Sequence, residues 1–118
     1  VKEIKSHKDL KVWQESMDFV VKIYDITEHF PSKEAFGLTA QLRRASVSIP
    51  SNIAEGAGRK GAKEFSRFLF IALGSLSEVE TQLEISQRLG YVAHLDDINN
   101  SIYFIRNMLS KLIKSINN

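Results

Sequence analysis

Three glycines, Gly56, Gly58 and Gly61, spell G-x-G-x-x-G in this 118-residue chain, the spacing of a dinucleotide phosphate loop. That fingerprint works only after a strand and inside a βαβ unit, where the glycines let backbone approach a pyrophosphate. The residues just before it, Ser51 to Glu55, read as helical, and no later strand completes a sheet. Nor does Lys63 make a P-loop, because G-x-x-x-x-G-K-[ST] fails at Ala62. What remains is a flexible interhelical turn, or a basic loop opening a helix. In the second case, backbone N–H groups with Arg59, Lys60 and Lys63 could hold a phosphate.

Glu78, Glu80 and Glu84 suggest a metal site within a helical bundle, but di-iron bundles pair Glu-x-x-His motifs. None of the nine glutamates has a histidine three residues on, and His7, His29 and His94 are scattered. Only Glu80 and Glu84 are four apart, which suits an exposed or Arg-paired helix face. No zinc or oxygen-activating centre is supported. Serines are numerous, yet none sits in a nucleophile elbow. Ser46, Ser48 and Ser51 surround Pro50, where hydroxyls commonly bond backbone near a kink. These patterns point away from an enzyme.

Charge says more by segment than in total. Sixteen Lys/Arg against fourteen Asp/Glu give a net +2. From Arg43 to Arg67 there are six basic and two acidic residues, a local +4. From Phe68 to Ile105 one basic residue faces five acidic ones, a local −4. The two stretches could form opposite faces, or neutralise each other in the fold. Around Pro50, Arg44, Asn52, Glu55 and Arg59 gather several hydrogen-bonding groups. Buried charges must be paired, so these residues could form an internal polar network; they could equally line a pocket.

The elements that must position these groups follow from composition and period. The length fits one domain, residues 1–118. Two prolines and six glycines leave little room for the turns of an all-β fold, and with no cysteine there is no disulfide or zinc finger. No apolar run approaches the roughly 20 residues of a membrane span, and residues 1–10 lack a signal-peptide core. A cytoplasmic, cofactor-free protein without membrane contact is expected.

Four segments carry helical periodicity, at roughly 9–30, 33–57, 61–89 and 96–116. The first has two apolar stripes. Leu10, Trp13, Met17, Val20 and Tyr24 make one, while Val12, Phe19, Ile23, Ile26 and Phe30 make another on a different face. One stripe suffices for a monomeric bundle, so the second predicts a further buried surface. Pro50 lies inside the second segment and predicts a kink near it. Gly90 suits a left-handed cap at the end of the third segment. Long helices with short links predict an all-α, antiparallel up-down-up-down four-helix bundle.

Several strings then carry a resemblance: Leu10–Lys11–Val12–Trp13–Gln14, Phe30–Pro31, Glu34–Ala35–Phe36–Gly37–Leu38 and Gln41–Leu42–Arg43–Arg44–Ala45. Ser48–Ile49–Pro50–Ser51–Asn52–Ile53–Ala54–Glu55–Gly56 and Ala72–Leu73–Gly74–Ser75–Leu76 complete it. From about Ser6 to Lys114 the chain resembles the four-helix-bundle family of 23S rRNA intervening-sequence proteins. Members are often encoded within extra segments of bacterial 23S rRNA genes, and no enzymatic activity is established for the family. They are similar to the accessory protein of diversity-generating retroelements, a homopentameric bundle that binds nucleic acid and a reverse transcriptase.

The resemblance implies a non-catalytic homo-oligomer, as a pentamer, that binds structured RNA or DNA. The basic segment then gives Arg43, Arg44, Arg59, Lys60, Lys63 and Arg67 as phosphate contacts, with Arg43 and the Gly56–Gly61 loop exposed. Arg44, Asn52 and Glu55 are the candidates for internal scaffolding, and Val12, Phe19, Ile23 and Ile26 for the oligomer interface. The alternative is a scaffold that docks a nucleic-acid enzyme such as a reverse transcriptase, with little direct RNA contact. An outward display of Glu78, Glu80 and Glu84 would favour it.

Overall fold

A computed structural model of the chain describes residues 6–117. Four α-helices form it: α1 (Lys11–Thr27), α2 (Leu38–Ala57), α3 (Ala62–Arg88) and α4 (Asp96–Ile116), with short 3₁₀ turns at His7–Asp9 and Ser32–Glu34. Each of α1 and α3 packs against both α2 and α4. Side-chain pairs fix the directions. Gln82 donates to Gln41 at 3.3 Å and Ser48 meets Ser75 at 2.8 Å, so α3 runs backwards along α2. Arg106 reaches Glu80 at 2.8 Å and Asn117 reaches Ser66 at 3.1 Å, which sets α4 against α3 in the same sense. Lys22 donates to Ser101 at 3.0 Å across α1 and α4.

The core is apolar and mostly aliphatic. Phe19 and Ile23 from α1, Ile49 and Ile53 from α2, Leu76 and Leu83 from α3, and Ile105 and Leu109 from α4 are all buried. This corrects the reading of α1. Val12, Phe19 and Ile23 are inside the monomer, so these three are not free for a partner subunit, while Ile26 is half-buried against the core. The other stripe, apart from buried Leu10, is the outer one: Met17 and Tyr24 are exposed, and Trp13 and Val20 are half-buried. Phe and Ile have no polar atom to keep wet. Trp, Met and Tyr tolerate a rim position, as Tyr24 does beneath the Arg43 guanidinium, 4.5 Å from its ring centre.

The second helix starts at Leu38, later than its apolar pattern suggests. Glu34 is the reason. Its Oε1 accepts the Leu38 N–H at 3.1 Å, capping α2 from within the preceding loop, while its Oε2 accepts the Tyr91 hydroxyl at 2.9 Å. The Leu38 N–H, and then the Tyr91 hydroxyl, hold the Glu34 carboxyl below its ordinary range. The helix continues through Pro50 to Ala57. Either side of the proline, side chains bond the helix backbone, Ser46 to the Arg43 carbonyl at 2.9 Å and Asn52 to the Ser48 carbonyl at 2.8 Å. At the end of α3, Gly90 takes φ +81°. Its N–H bonds Gln87 and that of Tyr91 bonds Ser86, which closes a Schellman motif.

Candidate nucleic-acid interface

The glycine-rich connection between α2 and α3 is built for packing and for exposure in turn. Gly56 is buried where the two helices meet: a Cβ there would lie 2.8 Å from Phe68 Cβ and 3.2 Å from the Phe65 carbonyl oxygen. Its lack of a side chain serves close helix approach rather than a pyrophosphate. Gly61 precedes α3 at φ +86°, a conformation that favours glycine, and no side chain caps that helix start. Between these glycines the chain turns Arg59 and Lys60 into solvent, and Lys63 is exposed one turn further on.

Two of the cations are fixed. Arg59 pairs with Glu55 at 3.0 Å and Arg67 with Glu64 at 3.1 Å, and both guanidiniums lie over the Phe68 ring, at 5.2 and 4.6 Å. Phe68 therefore packs against two planar donors. The Arg67 hydrogen bond, with charge from Arg59 and Lys63 adding to it, keeps the Glu64 carboxyl below its ordinary range despite opposing desolvation. Lys60 and Lys63 have no ion pair among the described residues.

The other helix ends bring more charge. The antiparallel register puts the start of α1 and the end of α4 at this end of the bundle, where Lys11 and Lys111 line one shallow depression. Lys114 is exposed nearby on α4. Residues 6–19, 49–75 and 108–117, which make up this half, carry eight basic against five acidic side chains; residues 20–48 and 76–107 carry six against eight. The segmental charge imbalance thus becomes a polarity along the long axis, with one basic and one acidic end. By sequence alone Lys111 and Lys114 are only complements to the dipole of α4, because nothing local shows which helix ends meet.

The remaining candidates separate. Arg43 sits at the opposite end, its Nε donating to Thr27 at 2.9 Å and its guanidinium pairing with Glu28 at 3.4 Å. Arg44 is exposed on α2, fifteen residues and so about 22 Å along the helix from Arg59. The expected network of Arg44, Asn52 and Glu55 does not form. Asn52 turns to Ser48, Glu55 pairs with Arg59, and Arg44 points to solvent. Arg44 and Glu55 are eleven residues apart, about 16 Å of helix rise, too far for contact. Of the acidic group, Glu80 pairs with Arg106 and Glu84 with Arg88, while Glu78 accepts a Gln82 amide. All three are exposed. No group of three His, Asp or Glu that could hold a metal occurs among the described residues, and no helix there is long and apolar enough to cross a membrane.

Comparison with known proteins agrees with this architecture. A solved structure of a protein of unknown function from the S23 ribosomal protein family of Bacteroides thetaiotaomicron superposes with a TM-score of 0.77 at 30% identity. The match covers 87% of this chain and 98% of that one. No curated protein matches the chain. The family model of the 23S rRNA-intervening sequence protein matches residues 8–111. The chain belongs to the 23S rRNA-intervening sequence protein family.

Proposed function

We propose that this protein is a non-catalytic, oligomeric bundle that binds structured RNA, or another nucleic acid, through its basic end. The observation that carries the reading is the gathering of Arg59, Lys60, Lys63 and Arg67 with Lys111 and Lys114 where three helix ends meet. Exposed lysines suit phosphate contacts that fix position without reading sequence. The Arg59–Phe68–Arg67 stack adds two preoriented guanidiniums, whose geometry suits phosphate oxygens. Membership of a family named for 23S rRNA intervening sequences makes RNA the first nucleic acid to test. Arg43 and Arg44 lie outside this surface.

The test compares a labelled RNA hairpin bound by the wild-type chain, by Lys60→Ala/Lys63→Ala and by Arg43→Ala. Weakened binding confined to the lysine variant supports the basic end. Equal weakening by Arg43→Ala, or none in either, counts against it. The second reading is a cytoplasmic scaffold that docks a nucleic-acid enzyme such as a reverse transcriptase through its acidic half. The outward placement of Glu78, Glu80 and Glu84 favours it. Assembly as a pentamer belongs to both readings and multiplies either charged end around a ring.

A further inference from the structure

Among the apolar surfaces that the described residues leave uncovered, two lie on different sides of the bundle. Between α1 and α2, Trp13, Met17, Val20, Val47, Pro50 and Ala54 line an open groove of about 360 Å³. On the outer face of α3, Phe70 is 57% and Ile71 40% exposed. Gly74 follows on the same face, mid-helix, exposed, with nothing within 4 Å of where a Cβ would be. Glycine is disfavoured in a helix interior, so an unobstructed one there suits the close approach of another chain. No other residue of the described chain uses that space.

We propose that the groove of one copy receives the Phe70–Gly74 face of α3 from a second copy. This rests on the oligomer in the reading above and names its contact. Two unlike surfaces on one chain make a heterologous interface, which closes into a ring only if successive copies are not shifted along the ring axis. The internal register meets that requirement for a ring axis parallel to the helices. Gln41 lies opposite Gln82 and Ser48 opposite Ser75, so residues 47–54 of α2 are level with 69–76 of α3. Groove and face therefore sit at one height.

Charge agrees with the same placement. The register puts Glu78 within one residue of the level of Arg44. Arg44 is exposed with no ion pair among the described residues, and Glu78 is exposed with a Gln82 amide at 3.2 Å. Glu78 stands on the side of α3 nearer α2, beside Gln82, which bonds Gln41. When α3 of the next copy enters the groove with parallel axes, that side falls against the α2 rim, where Arg44 waits. Phe70 falls toward Met17 and Pro50.

The mass of the full chain in solution tests this, with helicity by circular dichroism as the folding control. Wild type is expected to be an oligomer at micromolar concentration. Arg44→Glu and Glu78→Arg should each weaken assembly about tenfold or more, with helicity unchanged because both residues are exposed. The Arg44→Glu/Glu78→Arg double variant should recover assembly. Phe70→Ser should also weaken it. An oligomer indifferent to both single changes, or a double variant no better than the singles, overturns this interface and leaves the oligomer standing. A monomeric wild type overturns the oligomer as well. RNA binding by the same variants is read separately, since Lys60 and Lys63 lie outside the patch.

Discussion

The Tyr91 hydroxyl donates to Glu34 Oε2 at 2.9 Å across 57 positions of sequence, joining the α1–α2 connection to the α3–α4 turn. Both groups respond in pH: Glu34 sits below its ordinary 4.5, chiefly through the Leu38 N–H, and Tyr91 above its ordinary 10.0 through Glu34. A carboxyl with a depressed folded pKa stabilises fully above 4.5, and that contribution disappears as pH falls below it towards the folded value. The protonated Tyr91 stabilises fully below 10.0 and ceases to as pH rises past that. Urea midpoints over a pH series should show a shallower acid limb for Glu34→Gln than for wild type. An identical acid limb would remove Glu34 from this role.

The two apolar stripes of α1 differ in cost. Ile23→Ala removes a fully buried side chain and should destabilise the monomer by about 2–5 kcal/mol. Met17→Ala, from a side chain 43% exposed, should cost well under half of that. Denaturant unfolding at concentrations too low for assembly measures both. Equal losses would mean that the stripes share the core.

Much of the fold is legible from period and punctuation: four helices, a left-handed glycine after the third, and a glycine-rich link between the second and third. The side of α1 that faces inward is not. Both stripes are apolar at helical spacing, and only the positions of α2 and α4 decide between them. The start of α2 is hidden for a different reason. Its cap comes from Glu34, a loop side chain four residues upstream, rather than from an adjacent Ser, Thr, Asp or Asn. Local charge density groups Arg59, Lys60, Lys63 and Arg67 with Arg43 and Arg44, but a run in sequence becomes a length of helix, so the structure places the last two away from the basic end. Lys111 and Lys114 are absent from that group, because only the antiparallel register brings them near.

Glycines at 56 and 74, on α2 and α3, make opposite statements. Gly56→Ala should destabilise: the new Cβ meets Phe68 Cβ at 2.8 Å, and overpacking of about 1–3 kcal/mol outweighs a helix-propensity gain of at most about 1 kcal/mol. Gly74→Ala meets open space, so the monomer should gain up to about 1 kcal/mol. Thermal and urea unfolding of the two variants under dilute conditions compares them directly. A stabilised Gly56→Ala would show that α2 and α3 can separate there without cost.

The central claim is that the basic end contacts phosphates. Affinity for a structured RNA, measured across a salt series, tests it most directly. Phosphate contacts release counterions, so log affinity should fall linearly with log salt. Lys60→Ala/Lys63→Ala should make that slope shallower by about 2, near one for each lysine removed. A slope unchanged in the variant, or no binding at low salt by a folded, assembled protein, would contradict it.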